Sequence, residues 1–245
     1  MPRADLLLVE LGLAPTRSRA QALIKAGHVF AGETVITKAG QEIGPETELR
    51  VEGTDCPWVS RGGLKLAHAL THFSLSAENA IAIDVGASTG GFTDVLLQNG
   101  AAKVYAIDVG HDQLVEQLQT DDRVINLEGV NARYLTTAEV PEPVDVVVCD
   151  ASFISLTLVL PAALAMVKLG GWCVALIKPQ FEAGKENVGK NGVVKDADLQ
   201  AAICERIQQW FTEQHWTVVG VTESPVQGPS GNREFLIAAR RMPVA

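Results

Sequence analysis

Several features that define large protein classes are missing from this sequence. Its four cysteines, Cys56, Cys149, Cys173 and Cys204, include no Cys-x-x-Cys pair, so neither a thiolate zinc site nor a disulfide framework has a pattern to rest on. The five histidines show no metal-ligand spacing, and no metal is expected. Positive charge is scarce: 20 Lys and Arg stand against 29 Asp and Glu, a formal charge of -9. That excludes a uniformly basic nucleic-acid binder but leaves room for a local basic face. No apolar run approaches the ~20 residues of a membrane span; the longest, Leu156 to Val167, contains Pro161. The first residues place Asp5 soon after Arg3, and the apolar run that follows stops at Gly12, unlike a secretory signal. A reduced, cytoplasmic setting without membrane contact is the expectation.

What is present is 245 residues with 47% apolar and 20% charged content, enough for one large domain and a small one. The expected division is 1–59 and 60–245. In the front part, a helix over Asp5–Leu11 precedes a second helix, with Ser18 as its cap and Gln21 completing a capping box. Short strands follow near residues 28–30, 34–36 and 48–51. From Trp58 onward strands and helices alternate: strands at 81–85, 103–107, 123–127, 144–149 and 172–177, with helices between them and one helix ending at Lys168. A last helix capped by Asp196 leads to strands at 216–223 and 234–240. Near-continuous apolar strands separated by helices imply a parallel sheet covered on both faces. The final two strands have no helix between them and should pair antiparallel.

The turn Asp84-Val85-Gly86-Ala87-Ser88-Thr89-Gly90-Gly91 lies between the first strand of the large part and its helix, where such sheets bind nucleotides. Asp108 ends the next strand, placed to accept bonds from ribose hydroxyls. Ser88 stands where the dinucleotide fingerprint needs its middle glycine, which counts against a nicotinamide cofactor. Taken alone, the motif serves a ligand loop or a tight structural turn equally well. It resembles the first motif of S-adenosylmethionine-dependent methyltransferases, and that resemblance implies a Rossmann-like sheet with an antiparallel last strand. It also implies cofactor contacts from Asp84, Gly86, Ser88, Gly90, Gly91 and Asp108, with Asn131 near the adenine.

The front segment, Arg-Ala-Asp-Leu-Leu-Leu-Val-Glu-Leu from Arg3 and Thr-Arg-Ser-Arg-Ala-Gln-Ala-Leu-Ile-Lys from Thr16, resembles the small α+β RNA-binding domain of ribosomal protein S-four. The resemblance implies RNA contacts through Arg3, Arg17, Arg19 and Lys25; four cations on a solvated face are also ordinary. Arg61 is a further candidate contact. Farther along, Asp150 and Lys178 follow apolar strands, Glu234 opens the last strand, and Lys65 sits on the helix before the sheet. A lysine at the end of a buried strand needs a partner, and Asp150 can supply one. Any one of these residues alone reads as an ordinary strand-end ion pair. As a set, in the contexts Gly-Gly-Leu-Lys, Cys-Asp-Ala-Ser-Phe, Ile-Lys-Pro-Gln-Phe-Glu and Gly-Asn-Arg-Glu-Phe, they resemble the Lys-Asp-Lys-Glu tetrad of FtsJ-type RNA ribose methyltransferases. With the front domain, the resemblance is to the TlyA family of cytidine 2′-O-methyltransferases, historically also labelled haemolysins. It implies catalytic roles for Lys65, Asp150, Lys178 and Glu234, S-adenosylmethionine as cofactor, and ribosomal RNA or a ribosomal subunit as partner, with no obligate protein partner. Lys178 would contact the attacking oxygen, as a base or as a charge stabiliser. The stretch 178–195, with Lys185, Lys190 and Lys195, reads as a loop beside the substrate. The alternatives are a small-molecule methyltransferase and a non-catalytic RNA-binding factor or haemolysin.

Overall fold

A computed structural model describes residues 2–14, 16–25, 27–32, 34–44, 47–51, 56–184, 187–189, 192–228 and 231–242. Lys185 and Lys190 of the expected substrate loop lie outside the described residues. The chain divides into two compact units, Met1–Pro57 and Trp58–Ala245.

The front unit contains α1 (Ala4–Glu10), α2 (Arg17–Lys25) and the antiparallel strands β1 (Val29–Ala31), β2 (Thr34–Val35) and β3 (Leu49–Val51), ordered β2-β1-β3. Its small core joins Leu8, Leu23 and Ile24 of the helices to Val29, Ile36 and Leu49. Helix α2 begins earlier than expected. Thr16, rather than Ser18, caps it, its Oγ1 accepting a 3.2 Å bond from the Arg19 N–H. Gln21 does not complete a capping box; its amide donates 2.9 Å to Asp5 Oδ2. Asp5 is fully buried and also accepts from Arg3 and Arg17. These guanidiniums hold its carboxyl far below the usual carboxylate range.

The large unit is built on a seven-stranded sheet ordered β6-β5-β4-β7-β8-β10-β9. Its strands are β4 (Ile81–Val85), β5 (Lys103–Asp108), β6 (Val124–Glu128), β7 (Val144–Cys149), β8 (Val167–Ile177), β9 (Thr217–Glu223) and β10 (Phe235–Arg240). The pairs β4–β5, β5–β6, β4–β7 and β7–β8 are parallel, and β10 runs antiparallel to both β8 and β9. Apolar side chains of both sheet faces feed separate cores, one containing Ile83, Val147, Ile177, Ile207 and Phe211, the other Leu66, Leu96, Val104, Val148 and Leu236. Trp58 and Val59 pack against the second. The covering helices are α3 (Gly62–His72), α4 (Gly91–Gln98), α5 (Glu116–Gln119), α6 (Leu156–Val159), α7 (Pro161–Ala165), α8 (Pro179–Glu182) and α9 (Ala197–Glu213).

One expected element differs in kind. The helix expected to reach Lys168 is two short helices, α6 and α7, with Pro161 opening the second. Strand β8 then starts at Val167, five residues before the expected Trp172, because Val167 pairs with Val144 and is buried. Gly170 and Gly171 sit inside the strand, where the register against β7 shifts.

Candidate active site

The sheet topology brings three of the four candidate residues together. Parallel pairing of β7 and β8 aligns Cys149 with Ala175, so Asp150 and Lys178 leave neighbouring strands at the same edge. Strand β10 enters from the opposite direction with Phe235 opposite Ile177, which puts Glu234 beside Lys178. Pro179 bars Lys178 from helical backbone and opens α8, so Lys178 stays extended at φ -110. Lys65 arrives from α3, whose Leu66, Ala69 and Leu70 share a core with Leu236 and Ala238 of β10.

The four side chains form a continuous charge chain. Lys178 Nζ lies 2.6 Å from Asp150 Oδ1, Lys65 Nζ 3.5 Å from Asp150 Oδ2, and Lys65 Nζ 2.8 Å from Glu234 Oε2. Lys178 also donates to the Asp150 carbonyl at 3.0 Å and to Ser152 Oγ at 2.8 Å. The contact to Asp150 Oδ1 is close but poorly directed as a hydrogen bond, so the N–H behind it can be shared with an incoming oxygen. Lys178 is 7% exposed and Glu234 1%, and two cations against two anions leave this largely buried group balanced.

Two adjoining cavities meet at this group. One, of about 260 Å³, is lined by Arg61, Gly62, Lys65, Ser88, Gly91, Asp150, Ser152, Lys178 and Glu234, among others. The other, of about 410 Å³, is lined by Ile107, Asp108, Val109, Val130, Asn131, Arg133, Phe153 and Ile154, among others. Both share Gly86, Ser88, Asp150 and Ser152, so a ligand in the larger cavity reaches the lysine–aspartate couple from its side.

The glycine-rich turn shapes the shared wall. Gly86 adopts φ +80 and approaches the backbone of Ala151 so closely that a Cβ would stand 2.9 Å from its Cα. Ser88 is held at φ +48, a conformation that costs energy outside glycine, and its N–H donates 2.9 Å to Asp108 Oδ2. Asp108 Oδ1 accepts from Gly110 N–H at 2.8 Å; each oxygen keeps a further lone pair for a ligand hydroxyl. Asn131 Oδ1 accepts from Arg133 N–H, fixing a short 3-10 turn along the same cavity.

Not every expected cofactor contact lines the larger cavity. Asp84 is completely buried, accepts a 2.7 Å bond from Thr93 Oγ1, and lines neither cavity. Gly90, at φ +96, is packed against Leu114 and Leu118, leaving no room for a Cβ, and Gly91 borders the smaller cavity only. Burial, with Asp150 and Asp108 nearby, raises the Asp84 carboxyl to about 7. The folded state therefore holds a proton between pH 4 and 7 that the unfolded chain has released. Its stabilising effect is complete below the unfolded value near 4 and is lost as pH climbs through 7. Asp84→Asn should flatten this slope, improving its stability relative to the native chain by a few kcal/mol (order of magnitude) between pH 4.5 and 8; parallel denaturant curves at the two pH values check this.

Ser152, Phe153 and Glu182 carry no assignment from sequence. Phe153 is 90% exposed at φ +66 on the rim of the larger cavity, its ring 5.0 Å from that of Phe181. Ser152 and Phe153 were visible only as motif neighbours of Asp150. Arg61 is exposed on the smaller cavity, while in the front unit Lys25 is exposed, Arg19 is half-buried, and Arg3 and Arg17 are both tied to Asp5. Among the described residues no group of three or more His, Cys, Asp or Glu side chains is arranged to hold a metal, and no helix is long and apolar enough to cross a membrane.

A parallel sheet with one reversed strand next to its edge, and a glycine turn and strand-end aspartate on a cavity beside a lysine–aspartate couple, define a Rossmann-like methyltransferase. The chain belongs to the FtsJ-like methyltransferase family, whose model matches residues 58–241, while the S4 domain matches residues 3–49. It is 44% identical over 239 residues to the 16S/23S rRNA (cytidine-2′-O)-methyltransferase TlyA of Mycobacterium tuberculosis, covering 97% of this chain and 89% of that protein. It is 45% identical over 236 residues to the candidate rRNA methyltransferase YqxC of Bacillus subtilis, covering 96% of this chain and 84% of that one. The solved structure of a candidate hemolysin from Streptococcus thermophilus matches at a TM-score of 0.79 and 44% identity, covering 98% of this chain and 88% of that one. The methyl donor is S-adenosylmethionine. The larger cavity fits it: apolar Ile107, Val109, Val130 and Ile154 suit a purine, and Asp108 has acceptors left for the ribose.

Proposed function

We propose that this protein transfers a methyl group to the 2′-hydroxyl of a cytidine in ribosomal RNA, on free RNA or a ribosomal subunit in the cytoplasm. The front unit would bind RNA and the large unit carry out the chemistry. The observation that carries the reading is the Lys178–Asp150–Lys65–Glu234 chain opening onto a cavity continuous with the donor's. S-adenosylmethionine supplies a methyl already activated by its sulfonium. What the protein must add is in-line placement of a weakly nucleophilic hydroxyl and a destination for its proton. Lys178 Nζ, steadied by the Asp150 carbonyl and Ser152 Oγ, holds the oxygen with its poorly directed third N–H. The hydroxyl proton passes to the Asp150 carboxylate, the acceptor of the couple, as the oxygen–carbon bond forms and the methyl carbon–sulfur bond breaks. Lys65 keeps Asp150 Oδ2 engaged, and Glu234 keeps Lys65 in place. The exposed Phe153 ring offers a stacking surface suited to an unpaired base.

Mapping 2′-O-methylcytidines in ribosomal RNA from cells with and without the protein tests the reading. Loss of specific sites is expected; an unchanged map, with labelled methyl passing to small phenols instead, would favour the small-molecule reading. For the front unit, the double variant Arg19→Ala/Lys25→Ala should weaken RNA binding and reduce the salt slope by up to about 2, without altering donor affinity. Filter binding at several salt concentrations reads it.

A further inference from the structure

Glu182 is a buried carboxylate that the chemistry above does not use. It closes α8, on the segment that starts at Lys178, and is 8% exposed. Its Oε1 accepts a 2.8 Å bond from the Leu156 N–H, and its Oε2 a 2.8 Å bond from the Ser155 hydroxyl. Arg206 of α9 donates 2.6 Å to its carbonyl, with Nη2 3.7 Å from Oε2. Burial pushes the carboxyl above its ordinary value while the Leu156 N–H and Ser155 hydroxyl draw it down.

These bonds form one end of a clasp between the segment that follows β7 and the segment that follows β8. Lys178 meets Asp150 and Ser152 at the near end, Phe181 meets Phe153 in the middle, and Glu182 meets Ser155 and Leu156 at the far end. The middle contact is weak as an anchor because Phe153 is almost wholly exposed. The near end is the couple whose spacing must be held. The far end, buried and charge-assisted, is the one built to hold it. Misplacing a reacting group by 1 Å costs on the order of 100-fold in rate.

We propose that Glu182 is a positioning residue for methyl transfer, fastening the β7 loop to the segment after β8 so that Asp150 and Ser152 stay on Lys178. This rests on the function proposed above. Glu182→Ala is expected to lower kcat about 10- to 100-fold while RNA KM and donor Kd stay within about threefold. In the ligand-free protein, its Leu156 amide should exchange at least about tenfold faster. Glu182→Gln keeps an acceptor for Leu156 and offers a donor to Ser155, so it should recover kcat to within about fivefold of native. Where Glu182→Ala does not fold, Glu182→Asp, too short to reach both partners, takes its place under the same criteria. A folded Glu182→Ala with native kcat, or with kcat lost but not restored by glutamine, overturns the inference. A native protein that methylates no RNA in the same assay overturns the function itself, while the exchange measurement still reports on the clasp.

Discussion

Lys178→Ala should abolish most methyl transfer, lowering the single-turnover rate by about 10²- to 10⁴-fold, the range for disabling a positioned proton-transfer couple. The loss should fall on the chemical step. Lys178 does not line the larger cavity, so donor affinity by calorimetry should stay near native. Stability should change less than activity, because Asp150 keeps Lys65 as a counter-charge at 3.5 Å. Lys178→Arg is a sharper probe. It preserves the charge, but a planar fork cannot reproduce the directions of an ammonium that serves the Asp150 carbonyl and Ser152 together. A Lys178→Ala variant that kept most of its rate would remove this residue from the chemistry.

Lys65→Ala should cost more in stability than any other change in the site, about 3–5 kcal/mol, because it strands a buried charge. Glu234 is 1% exposed, its Oε2 rests on Lys65 at 2.8 Å, and its Oε1 has no hydrogen-bond partner among the described residues. The melting temperature should fall by roughly 10 °C for a unit of this size. The Lys65→Ala/Glu234→Gln double variant removes the stranded charge and should recover about half or more of that loss without restoring transfer. Thermal denaturation of the four members of the cycle measures this. A single variant within about 1 kcal/mol of native would show that Glu234 does not depend on Lys65.

Strand ends were the most legible part of the site. Asp150, Lys178 and Glu234 each interrupt or border an apolar run, and parallel pairing with one reversed neighbour makes their convergence a consequence of strand order. Less legible was the direction of a side chain within a run. Asp84 belongs to a glycine motif, yet strand alternation turns it toward Thr93 and away from both cavities. The helix expected to end at Lys168 extends too far because the apolar residues before Gly170 suit either a helix or a buried strand over so short a span. Pro161 and the pairing of Val167 with Val144 decide the matter, and only the second is a tertiary fact. Capping of α2 by Thr16 was hidden by a nearby Ser18 of higher capping propensity; the buried Asp5 claims Gln21 for itself. Ser152 and Glu182 act through neighbours brought close by the loops after β7 and β8, and no local spacing announces that.

The reversed strand has a temporal meaning as well as a geometric one. β10 lies between β8 and β9 although it follows both along the chain, and it brings Glu234 with it. A nascent polypeptide that stops short of residue 234 has Lys65 without its acidic anchor and β8 without one neighbour. The charge chain is therefore completed late in synthesis, when insertion of this strand fills the gap between β8 and β9.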